Sequence, residues 1–119
     1  MSTQKITRWI PAVLTMGLIF WISSQPSSEL PDLGWVDFIV KKSGHVFEYA
    51  VLSIGYWYAY GFKDDRRGIA WLFAILYAMT DEFHQSFVPG RIPSLWDVLI
   101  FDHVGVLLGL WLANRLVKQ

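Results

Sequence analysis

Four apolar stretches, residues 9–22, 46–62, 68–80 and 95–112, are divided by loops rich in helix breakers, and this pattern limits the chain more than any other feature. Within hydrocarbon every backbone N–H and C=O has to be satisfied inside the structure, which leaves helices and closed barrels as spanning forms. A spanning helix takes about 20 residues. The runs are shorter than that until their polar neighbours are added. The second reaches back toward Lys42 and carries Glu48, the third continues through Asp81, Glu82, His84 and Gln85, and the fourth holds Asp97, Asp102 and His103. So extended, they predict one all-α domain over residues 1–119. It is an integral membrane bundle of four transmembrane helices, with spans at about 7–24, 42–62, 68–87 and 94–114.

Composition agrees. Hydrophobic residues make up 54% of the chain and aromatic ones 17%, and the mean hydropathy is +0.36, more apolar surface than a soluble core of this size hides. The seven Trp and eight Phe suit membrane interfaces, where one end of an aromatic side chain stays wet. The lack of cysteine excludes disulfides and thiolate metal sites. The net charge of zero argues against a nucleic-acid partner recognised by bulk charge.

Breakers mark the limits of the helices: Gln25-Pro26 and Leu30-Pro31 after the first span, and Pro89-Gly90 with Pro93 in the third loop. In the charged second loop Gly61 is expected to close one helix and Asp64 or Asp65 to cap the next. Trp35, Phe38, Ile39 and Val40 either lie flat at the interface or extend the second helix. Lys5, Arg8, Lys63, Arg66, Arg67, Arg115 and Lys118 fall on one side of this arrangement and Lys41, Lys42 and Arg91 on the other. Basic residues gather on the cytoplasmic side of short loops, so both termini are expected there. Lys5, Arg8 and the apolar run after them also fit a signal peptide, but Ser23-Ser24-Gln25-Pro26 lacks a small-x-small cleavage pattern.

On this topology Glu48, Asp81, Glu82, Asp97 and Asp102 all fall at the extracytoplasmic end. An ionisable group at membrane depth costs about 2.5–3.5 kcal/mol on insertion scales and is usually paired, turned inward and functional. His45, Glu48 and Tyr49 share a helix face, as do Asp81, His84 and Gln85. Adjacent Asp81 and Glu82 call for a cation or donor between them, from Lys42, Arg91 or His45. His45, Glu48, Asp81, Glu82 and His84 suit zinc or manganese by ligand type, but no His-Glu-x-x-His spacing occurs, and neither metal nor cofactor is expected.

The residues from Lys42 to Gly109 resemble the VanZ-like family. The likeness is carried by Lys42-Ser43-Gly44-His45-Val46-Phe47-Glu48-Tyr49, by Asp81-Glu82-Phe83-His84-Gln85-Ser86-Phe87-Val88-Pro89-Gly90-Arg91, by Ser94-Leu95-Trp96-Asp97, and by Gly105 and Gly109. The resemblance implies a small multi-span protein of the bacterial plasma membrane, related to an accessory determinant of resistance to teicoplanin, a lipid-tailed glycopeptide. The family commonly has Asn or Asp followed by a small or apolar residue where this chain has Asp102-His103.

Plainer roles are open to the same residues. Ser94 and Asp97 form a capping box, Pro89-Gly90-Arg91 a turn with a snorkelling Arg, and His45, Glu48 and Tyr49 a buried hydrogen-bonded trio. Gly105-x-x-x-Gly109 is a close-packing face, within one chain or in a homo-oligomer. Three functions suit the pattern. In the first, the outer pocket binds a membrane lipid or other amphiphile through Lys42, Tyr49, His84, Gln85, Arg91, Asp97 and Asp102, and protects the envelope or its lipid-linked precursors. In the second, His45, Glu48, Asp81 and Glu82 catalyse a change in a lipid head group or an envelope acyl or phosphoryl group. No nucleophile elbow is present to support it. The third, a proton-coupled exporter, sits poorly with charges so far from the midplane.

Overall fold

Pro11 starts the first long helix at no cost, because the amide it lacks is one that a helix leaves unbonded in its first turn. The computed structural model describes residues 3–24, 35–88, 96 and 98–118, and these are helical throughout, with turns between. A short helix α1 (Thr3–Thr7) leads into α2 (Ile10–Ser23). Then come α3 (Trp35–Ala59), a 3-10 turn at Asp64–Arg66 and α4 (Arg67–Gln85). A π-helical turn at Val98–Asp102 precedes α5 (His103–Val117). The backbone from Trp35 to Lys41 extends the second helix, the latter of the two arrangements expected for that segment. Arg91, Ser94, Asp97 and the Pro89-Gly90 turn lie outside the described residues.

In the second loop Gly61 closes α3 as expected, and the start of α4 departs from expectation. Gly61 and Phe62 both take positive φ, 73° and 58°, and turn the chain out of α3. The Phe62 amide bonds the Trp57 carbonyl at 3.0 Å, and the Trp57 indole donates to the Lys63 carbonyl at 2.7 Å. Neither Asp64 nor Asp65 caps α4, whose N-cap is Arg66 with no side-chain hydrogen bond. Asp64 is engaged elsewhere, accepting from Lys118 Nζ at 2.7 Å. That hydrogen bond holds its carboxyl below the usual range, so the clasp between the second loop and the end of α5 acts above the ordinary aspartate pKa and fades on acidification.

Contacts between helix ends set an up-down-up-down order. Ser23 at the end of α2 meets Gln85 at the end of α4, and His45 early in α3 meets Asp102 just before α5. Small residues let the backbones approach. Ala70, Ala74 and Ala78 repeat every four residues along α4 and are fully buried. A Cβ on Gly55 would lie 3.2 Å from the Ala12 backbone. Cβ atoms on Gly105 and Gly109 would strike the Val46 and Ala50 carbonyl oxygens, so α5 lies flush on α3. The glycine face is thus taken up within one chain. Trp9, Tyr56, Tyr60 and Phe73 fill the end nearer α1, with Trp9 and Tyr60 centroids 5.5 Å apart.

The outside is apolar. Leu14, Phe47, Phe83 and Leu116 are each more than 60% exposed, and two segments, Lys5–Ser23 and Leu99–Val117, are long and apolar enough to cross a membrane. In detergent, Gly105→Leu should lower the thermal unfolding midpoint, by an overpacking cost of about 1–3 kcal/mol or more. Gly68→Ala, where a Cβ meets nothing within 4 Å, should leave it unchanged or raise it by up to about 1 kcal/mol of helix propensity.

Candidate functional site

The face of α4 that buries Ala70, Ala74 and Ala78 runs on into polar residues: Asp81, Glu82 and Gln85 are 4%, 8% and 6% exposed. The helix has not rotated; its inward stripe has changed chemistry. Asp81 Oδ2 accepts from the Tyr49 hydroxyl at 3.0 Å, and Tyr49 is fully buried. One turn earlier on α3, His45 Nδ1 donates to Asp102 Oδ1 at 2.9 Å. Asp102 is 1% exposed and His45 17%. Glu48 and Asp81 both lie within electrostatic range of His45. Three helical segments therefore contribute to one interior layer of hydroxyl, imidazole, amide and carboxylate.

Around this layer the other polar residues join α2 to α4. Gln85 Nε2 donates to Ser23 Oγ at 3.3 Å. His84 stacks on Phe20 at 4.2 Å between centroids, with Nε2 3.4 Å from Ser24 Oγ. The Tyr77 hydroxyl donates to the Met16 carbonyl at 2.6 Å.

Of the residues expected to form the site, His45, Tyr49, Asp81 and Asp102 are brought into direct pairs, and Glu82 and Gln85 are buried beside them. Glu48 is half-buried and His84 lies at the rim against α2. Lys42 borders an apolar groove, with Nζ 5.2 Å from the Phe101 ring centroid. Arg91 and Asp97 lie outside the described residues. Asp81 has the donor that its place beside Glu82 calls for, and that donor is Tyr49, with His45 within electrostatic range, rather than Lys42 or Arg91. Among the described residues no three His, Asp or Glu side chains are disposed to share a metal ion.

Sequence reasoning missed Ser23, Ser24 and Trp71. Trp71 Nε1 donates to His103 Nε2 at 2.9 Å, tying α4 to α5. The sequence signals were slight: His103 stands beside Asp102, and Ser23 and Ser24 end an apolar run.

Chemically, the layer offers carboxylate acceptors and one imidazole fixed by a buried carboxylate, an arrangement that sets the tautomer and leaves Nε2 for other work. The family model described as VanZ/LLP1 matches residues 3–118. No curated protein and no solved structure matches the chain.

Tyr49→Phe should destabilise the fold by about 1.5–3 kcal/mol, since it leaves a buried carboxylate short of a donor. Tyr49→Phe combined with Asp81→Leu should cost clearly less than the two single changes summed, as measured by a double-mutant cycle in thermal or denaturant unfolding. Additive costs would mean the pair is not coupled.

Proposed function

The chain belongs to the VanZ/LLP1 family, and from that premise we propose that it is a multi-pass protein of the bacterial plasma membrane whose polar end binds an amphiphile and so protects the cell envelope. The observation that carries this reading is the buried layer of Tyr49, Asp81, His45 and Asp102 at one end of a bundle with an apolar exterior. Polar groups at membrane depth are expensive to keep, and their retention marks a ligand path or site more often than a structural device.

Orientation follows from the basic residues. Lys5, Arg8, Lys63, Arg66, Arg67, Arg115 and Lys118 belong to the end opposite the polar layer. Arg66, Arg67 and Arg115 lie over the rings of Tyr60, Trp57 and Trp111 at 5.8, 5.6 and 5.4 Å, as basic and aromatic residues do at an interface. That end is cytoplasmic by the positive-inside rule, so the polar layer faces outward, where lipid-linked cell-wall precursors and lipid-tailed glycopeptides meet the membrane. The head of the amphiphile is held by the layer and by Arg91, whose planar fork suits a carboxylate or phosphate, and its tail lies along the helices.

A second reading rests on one contact. A histidine whose Nδ1 is held by a buried carboxylate is set up to exchange a proton at Nε2, which suits chemistry on a lipid head group. Mass spectrometry of lipid and precursor extracts from cells making wild type or His45→Gln separates the readings, because only an enzyme leaves an altered species that disappears in the variant.

For the binding reading, cells making the wild type should become less susceptible to a lipid-tailed glycopeptide and keep their susceptibility to a tail-free one. Arg91→Ala should abolish the difference. Equal protection against both drugs, or none in the wild type, would contradict recognition of an amphiphile.

A further inference from the structure

Beside the polar layer, the outer faces of α3 and α5 part into a groove of about 600 Å³, inside the range of about 300–1,000 Å³ typical of ligand sites. Its floor is made of small residues, Ala50 and Gly109, at the place where the α5 backbone presses on α3. Its walls, including Ile39, Ile54, Phe101 and Leu112, are apolar, and among the described residues that line it Lys42, near one end, is the charged one.

The dimensions point to one class of occupant. Fifteen residues separate Ile39 from Ile54 and eleven separate Phe101 from Leu112, so the two walls run for about 22 Å and 16 Å at 1.5 Å per helical residue. One leaflet of a hydrocarbon core about 30 Å thick is about 15 Å deep. The groove therefore spans one leaflet and reaches into its head-group layer, with its cation one helical turn inside the outer limit. Its side is open: Phe47, Leu108 and Leu112 are all exposed along it. A chain lying in the surrounding bilayer enters from that side without leaving hydrocarbon. The sign of the head group follows from Lys42, an ammonium that meets phosphate as a point charge.

We propose that the groove between α3 and α5 holds one acyl chain of an anionic glycerophospholipid of the surrounding leaflet, with its phosphate at Lys42. Lys42 lies three residues before His45 on α3, so the bound lipid head sits within one helical turn of the His45–Asp102 pair. The lipid completes the outer wall of the bundle beside the polar layer. This inference rests on the membrane placement proposed above.

The test uses the full chain in nanodiscs of equal phosphatidylglycerol and phosphatidylethanolamine, with retained lipid identified by native mass spectrometry. Wild type should retain phosphatidylglycerol over phosphatidylethanolamine by about fivefold, the effect of one lysine near an anionic membrane surface. Lys42→Glu should abolish or reverse the preference, and Ala50→Phe, which fills the floor, should reduce retention of both lipids. Lys42→Glu carries the test alone if Ala50→Phe does not fold. Inorganic phosphate at millimolar concentration should leave the lipid in place, since the acyl chain holds it; release by phosphate would overturn the assignment. Equal retention of the two lipids by wild type, or a preference unchanged by Lys42→Glu, overturns the groove assignment and leaves the membrane reading standing. Failure to enter a bilayer at all overturns both.

Discussion

Polar groups buried in a bundle with an apolar exterior have to satisfy one another, because neither neighbouring lipid nor the hydrophobic helix faces can do so. The Tyr49–Asp81 and His45–Asp102 contacts meet that requirement across helices rather than within them. Each needs two helices at a fixed rotation and a short separation, so the pairs set the register of α3 against α4 and of α3 against the turn that precedes α5. The π-helical turn at Val98–Asp102 belongs to the same requirement. It delivers Asp102 inward to His45 while Phe101, the residue before it, lies against Lys42 at the groove. Breaks of this kind in an otherwise α-helical ladder recur at functional sites.

Close approach comes from residues with almost no side chain. The alanine stripe of α4, the Gly55–Ala12 contact and the two glycines of α5 bring backbones near enough for a tyrosine hydroxyl or an imidazole to reach a carboxylate on the next helix. The same small residues leave the hollow between α3 and α5 where Ala50 and Gly109 meet. One packing solution thus gives both a polar interior at one end and an apolar groove beside it. The proposed link of this geometry to the cell envelope rests on membership of the VanZ/LLP1 family.

How much of this could be read from the chain follows from what each feature depends on. Helical spacing alone puts His45 with Tyr49 and Asp81 with Gln85 on common faces, and breakers alone divide the helices. Partners depend on helix rotation and separation, which spacing does not encode. For that reason the donor that Asp81 needs is Tyr49, which spacing does not single out from Lys42, Arg91 or His45, and neither Asp64 nor Asp65 caps α4, Asp64 being bonded to Lys118 instead. The extension of α3 back to Trp35 was open because an amphipathic turn and a continued helix share one apolar pattern. The bond from Trp71 to His103 depends in the same way on how α4 packs against α5, and nothing in the sequence expectations named it.

The placement of the polar layer at the outward end of a membrane-spanning bundle is the claim on which the account turns. The chain has no cysteine, so single-cysteine variants can be labelled in intact cells with a membrane-impermeant maleimide. Ser24→Cys and Ser86→Cys, beside the polar layer, should react from outside, and Asp65→Cys and Lys118→Cys, at the basic end, should react only after the cells are opened. Labelling of the basic end in intact cells, with the polar end protected, would contradict the account.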